Sequence, residues 1–185
     1  MKKSIGKFIY FIFGWKLSAL GDKTEYGHSV MVAAPHTSNW DFLFALAGFW
    51  ILELDVRYFI KDNYTKSVVG FLFKWTGALG VNREARNNLV QHTIDLLNEH
   101  DQMVILVPAE GTRKKVDKWR KGFYHIAKGA NVPISMGFLD YEKKIGGVAG
   151  AFWPTDDEEA DFQVLQDTYK QYTGKYPENY NEQIY

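Results

Sequence analysis

His36 and Asp41 stand five positions apart in Ala34-Pro35-His36-Thr37-Ser38-Asn39-Trp40-Asp41, a polar island between two apolar runs. A histidine held by a carboxylate is a general base. The carboxylate accepts from one ring nitrogen, fixes the tautomer and stabilises the imidazolium that forms when the other nitrogen takes a proton. Such a base activates a hydroxyl. On one continuous helix of roughly 3.6 residues per turn the two side chains would point about 140° apart. With Ser38 as the N-cap, however, Asp41 falls at the third helical position while His36 precedes the helix on the turn, so the pair converges. The plain alternative is a capping box, Ser38-x-x-Asp41, next to a loop histidine.

The elements that must hold this island follow from hydrophobic pattern. Residues 30–34 read as a short buried strand ended by Pro35, and 42–52 as an apolar helix. Further strands are expected at 56–60, 78–81, 103–107 and 132–139, and helices at 67–75, 85–99 and 119–128, the last stopped by Gly129. Ile145-Gly146-Gly147-Val148 reads as a turn or bulge within a hairpin. Thr155 with Glu158 signals a final helix to about Tyr172, buried through Val164, Leu165, Thr168 and Tyr169. Alternating strands and helices imply a three-layer α/β domain: a mixed, mostly parallel sheet flanked by helices, with an antiparallel edge. In such sheets the site lies where strand ends converge. His36, Lys61, Arg83 and the turn from Glu110 to Arg113 each follow an expected strand.

At 185 residues the chain suits one domain, divided as 1–20, an N-terminal amphipathic or interfacial helix, 21–174, the enzyme domain, and 175–185, an irregular tail. The absence of cysteine excludes disulfides, thiolate metal sites and a Cys nucleophile. A formal charge of zero provides no global field for nucleic acid, which is not an expected partner. Lys2, Lys3 and Lys7 precede or flank the run Phe8 to Trp15, too short to span a bilayer, which needs about 20 residues. An interfacial anchor, a signal peptide and a helix packed on the domain compete there, the anchor being the expectation.

Four ordered blocks carry a resemblance. They are His36-x4-Asp41; Gly77-Ala78-Leu79-Gly80-Val81-Asn82-Arg83; Glu110-Gly111-Thr112-Arg113; and Val132-Pro133-Ile134 after Lys121-Gly122-Phe123. In this order the chain resembles, over residues 29–139, the 1-acylglycerol-3-phosphate O-acyltransferase (lysophospholipid acyltransferase) family of glycerolipid acyltransferases. The resemblance implies a glycerol-3-phosphate acyltransferase-like fold and transfer of a fatty acyl group from an acyl-CoA or acyl-carrier-protein thioester to a lysophosphatidate-type hydroxyl. It implies His36 and Asp41 as catalytic residues. Lys61, Arg83, Glu110, Gly111, Thr112 and Arg113 would bind substrate, the arginines as forks for phosphate oxygens. No metal or other cofactor is implied beyond the thioester substrate. The expected partners are the thioester donor, a lysolipid acceptor and the membrane surface at its cytoplasmic face, where the protein would be peripheral or monotopic. Other lipid-like acceptors (an amino-acid lipid or another lysophospholipid), a non-catalytic lipid-binding relative and a metal hydrolase are the competing readings. Two departures touch the acceptor side: Ala109 stands where proline is usual, and Lys61-Asp62 where Lys-Glu is usual.

Six basic residues between Arg113 and Lys121, opposed only by Asp117, could meet headgroups or coenzyme A phosphates, or form a solvated helix start. Phe42, Phe44, Phe49, Trp50, Phe71, Phe73 and Trp75 would either line an acyl groove or fill ordinary core.

Overall fold

The computed structural model describes residues 1–81 and 89–185. In chain order the elements are α1 (Lys2–Phe13), β1 (Lys16–Ala19), α2 (Lys23–Tyr26), β2 (Ser29–Ala33), α3 (Trp40–Leu52), β3 (Val56–Lys61), α4 (Asp62–Thr65) and α5 (Gly70–Thr76). They continue as β4 (Ala78–Val81), α6 (Leu89–Asn98), β5 (Val104–Val107), α7 (Gly122–Ala130), β6 (Ile134–Asp140), β7 (Ile145–Phe152) and α8 (Glu158–Tyr169).

The strands form one mixed sheet in the order β1-β7-β6-β2-β5-β3-β4, parallel throughout except where β6 and β7 run antiparallel. The side-chain period of two sorts each central strand between two layers. Val30 and Val32 of β2 and Ile105 of β5 join Phe123, Ile126, Phe162, Leu165 and Leu97 on the face covered by α6, α7 and α8. Met31 and Val104, one position out of phase, pack with Tyr26 and Phe49 on the opposite face, under α2 and α3. Burying strands on both faces explains their unbroken apolar runs. Phe44, Leu46 and Phe49 of α3 are each nearly inaccessible, and such side chains stabilise a fold by about 1.5–3 kcal/mol apiece.

Helix α1 lies antiparallel on α3. Lys3 pairs with Glu53 at one end, and the Phe13 ring sits 6.1 Å from that of Trp40 at the other. Gly6 makes the close approach possible, since a Cβ there would stand 2.5 Å from the Ala47 carbonyl oxygen.

Several expectations are corrected. Gly129 does not stop α7; it lies within the helix against Ile94, and Asn131 in the left-handed conformation ends it. Residues 145–148 lie in the expected hairpin, formed by antiparallel β6 and β7, but the Gly146-Gly147 pair is regular strand beside β1, and the register shift comes farther along, opposite the stretch from Ser135 to Gly137. The cap of α8 is Asp157, whose side chain accepts from the Ala160 N–H, while Thr155 instead engages Asp161. Leu165 and Tyr169 of α8 are buried as expected, but they are joined by Phe162 rather than Val164, which is 44% exposed, or Thr168, which is only partly buried.

Candidate active site

Strands β2 and β5 are parallel neighbours with Val32 opposite Val107, so the segments leaving their C-terminal ends emerge side by side. His36 follows the first and Glu110 the second. Glu110 Oε1 accepts from the His36 backbone N–H at 3.0 Å, which ties the two loops together.

Helix α3 begins at Trp40 rather than immediately after Ser38, with Asn39 at the cap position and the Ser38 hydroxyl accepting from the Trp40 N–H at 3.2 Å. The predicted Ser38 cap is therefore displaced by one residue. Asp41 instead reaches back from the first turn, where negative charge is favoured. Its Oδ2 accepts from the N–H groups of Thr37 and Ser38, both at 2.9 Å, and lies 3.1 Å from His36 Nδ1. Its Oδ1 accepts from the Tyr141 hydroxyl at 2.7 Å. A carboxylate has no hydrogen to give, so Nδ1 carries the proton and Nε2 is left as the basic nitrogen.

Tyr141 had no signal in the sequence. It lies just after β6, and desolvation followed by the neighbouring Asp41 charge raises its phenol pKa well above the usual range, keeping it a donor. The C-terminal segment braces the same place. The Tyr141 N–H donates to the Thr173 carbonyl, the Tyr176 N–H to the Thr37 hydroxyl, and the Trp119 N–H to the carbonyl of buried Ile184. Replacing Tyr141 by Phe should lower kcat about tenfold, the scale of one hydrogen bond to a charged group, with KM for either substrate nearly unchanged. Steady-state kinetics on the two proteins measure the split.

Glu110 is buried, and its Oε2 finds no partner among the described residues. Burial pushes its carboxyl up to about 7, against the lowering effect of the His36 N–H. The folded state therefore holds a proton that the unfolded chain releases from about pH 4.5 upward. Stability is lost as pH rises from there through about 7, and above that the cost of a buried charge is fully present. Glu110→Gln removes this dependence. The variant should gain on wild type by about 3 kcal/mol between pH 4 and pH 8.5, as read by urea unfolding at both values.

Of the other predicted residues, Lys61 ends β3 and is exposed. Gly111 turns with φ 67°, where a Cβ would stand 2.8 Å from Arg120 Nε. Thr112 is partly buried and its hydroxyl accepts from the Lys114 N–H, whereas Arg113 is exposed. Arg83 lies outside the described residues. The structure thus unites His36, Asp41 and Glu110 by direct hydrogen bonds, and it adds Arg120, whose guanidinium rests over Gly111. Of the basic run, Lys121 is engaged by Glu158.

Beside the dyad opens a cavity of about 500 Å³, bordered by His36, Gly111 and Arg120. Apolar residues line most of it, including Phe42, Ala45, Leu46 and Phe49 of α3 and Val56 and Leu106 of the sheet. Phe42 and Phe49 are therefore the predicted aromatics that border the groove, while Phe71 is 66% exposed.

A family model described as Acyltransferase matches residues 19–135. Among solved structures, the chain is similar to the 1-acyl-sn-glycerophosphate (LPA) acyltransferase PlsC from Thermotoga maritima. The two share a TM-score of 0.65 and 15% identity over 92% of this chain and 76% of that one. No curated protein matches the sequence.

Proposed function

Since the chain belongs to the acyltransferase family, we propose that this acyltransferase moves a fatty acyl group from a CoA or carrier-protein thioester to the hydroxyl of a lysophosphatidate-type glycerolipid. The observation that carries the reading is the His36–Asp41 pair at the edge of a largely apolar cavity with arginine beside it. An apolar cavity suits an acyl chain, and guanidinium suits the phosphate of acceptor or donor.

In this mechanism His36 Nε2 takes the proton of the acceptor hydroxyl while its oxygen attacks the thioester carbonyl. Asp41 holds Nδ1–H and balances the imidazolium. The tetrahedral intermediate collapses: the new C–O ester bond remains, the C–S bond breaks, and the departing thiolate recovers the proton from His36. No acyl-enzyme is needed. The chain has no cysteine, and the Ser38 hydroxyl is buried and occupied at the start of α3. Base catalysis accounts for about 10² to 10⁴ in rate, and holding both substrates in register for much of the rest. The amides of Thr37, Ser38 and Gly111 already have acceptors, which removes them as oxyanion donors and leaves those of Asn39 and Thr112 as candidates.

Among the described residues no helix is long and apolar enough to cross a membrane. In this reading the protein works as a peripheral enzyme on the cytoplasmic membrane face, with α1 as its interfacial contact. The experiment is a panel of acceptors: lysophosphatidate, other lysophospholipids and amino-acid lipids, each with palmitoyl-CoA and palmitoyl-carrier protein. Preferential ester formation on lysophosphatidate is expected. Product on another acceptor alone would replace the substrate, and donor binding without any product would favour a lipid-binding module.

A further inference from the structure

Helix α1 is apolar on both sides. Gly6 and Tyr10 pack inward, while Met1, Ile5, Phe8 and Ile12, at helical spacing, form an outer stripe that is exposed together with Phe11. A helix that only covers its own domain presents a polar outer face. The same condition recurs around α5, where Tyr64, Val68, Val69, Phe71 and Leu72 are all about half exposed or more, Val68 reaching 97%.

The two segments are joined. Lys2 Nζ donates to the Trp75 carbonyl at 2.6 Å and lies 5.1 Å from the centre of its ring, which in turn stands 5.0 Å from Trp50 of α3. At its far end α1 meets exposed Trp40, two residues before Phe42, which is exposed at the cavity rim. One apolar face therefore runs from α5 across α1 to the site. Its charge is one-sided: residues 1–16 and 63–77 contain six lysines and no acidic residue, in a chain whose total charge is zero. Two of these, Lys3 and Lys66, also pair with Glu53 and Asp62 at its margin.

We propose that α5 and the residues just before it form a second membrane-contact segment. Together with α1 it seats the protein on an anionic bilayer with the cavity edge at Phe42 turned toward the lipid. The inference rests on the lipid-acceptor reading and specifies how the enzyme meets that substrate. Apolar side chains ringed by lysines match a surface of acyl chains under anionic headgroups. A second copy of the chain would bring the same positive charge against itself.

The chain has no cysteine, so single labelling sites are clean. Phe11→Cys, Leu72→Cys and, on exposed α8 across the sheet, Glu159→Cys would each carry a polarity-sensitive fluorophore. They would be mixed with phosphatidylglycerol-rich or purely phosphatidylcholine vesicles. Blue shifts at positions 11 and 72, absent at 159 and weaker with the neutral vesicles, are expected. The double variant Phe71→Glu, Leu72→Glu should cosediment with anionic vesicles at least about tenfold more weakly. A shift at 11 alone, or at none, overturns the proposal. So does a shift at 72 that appears on protein concentration without vesicles, which would make the face a self-interface. Turnover on short-chain, monomeric substrates is followed in parallel with the unlabelled protein. Its absence would reject the acyl-transfer reading while leaving the vesicle result to stand or fall separately.

Discussion

Purified protein carrying His36→Ala should unfold at nearly the wild-type denaturant concentration yet transfer acyl groups about 10² to 10⁴ times more slowly. Its side chain is partly exposed and contributes one hydrogen bond, through Nδ1, to an aspartate that retains Thr37, Ser38 and Tyr141 as donors. Glu110 accepts from the backbone N–H of position 36, which alanine keeps. Little of the loop's support is lost, so the effect should fall on kcat with KM for the thioester nearly constant. Near-wild-type turnover would remove His36 from the mechanism, whereas a collapse in stability would make it structural.

Asp41→Asn should cost up to about 10² in kcat, less than loss of the base itself, and little in fold. The amide has one acceptor oxygen and one donor group. Three donors converge on Oδ2, so the oxygen takes that side and the NH₂ turns toward the Tyr141 hydroxyl, which has lone pairs to receive it. The loop geometry and the His36 tautomer survive that exchange. What disappears is the negative charge that balances the imidazolium during transfer, so the loss is catalytic. A rate within a few fold of wild type would show that the carboxylate only shapes the turn.

The dyad was legible because a polar island after a strand and before an apolar helix has few structural uses, and because three further blocks stand in order behind it. The strands were legible for a related reason: burial on both faces leaves apolar runs that polar loops punctuate. Contacts made across the fold were not legible. Tyr141 reaches Asp41 from 100 positions away, and nothing in Leu139-Asp140-Tyr141 marks it as a donor to that carboxylate. Glu110 was expected only as a substrate-binding residue. Its bond to the His36 N–H depends on the β2–β5 register, which no local pattern encodes. Gly129 read as a helix stop because glycine usually breaks helices, but here the missing side chain makes room for Ile94. On α8 the reading placed Leu165 and Tyr169 correctly but widened the stripe toward Val164 and Thr168, when the packed face turns the other way to Phe162.

A paired assay decides whether His36 drives direct transfer. Labelled palmitoyl-CoA and lysophosphatidate are given to wild type and to His36→Ala, with ester product and free thiol followed together. Wild type should release one thiol per ester formed and retain no acyl label on the protein, and the variant should lose both signals. Equal ester formation by the two proteins, or label held covalently on the wild-type chain, would contradict direct transfer driven by His36.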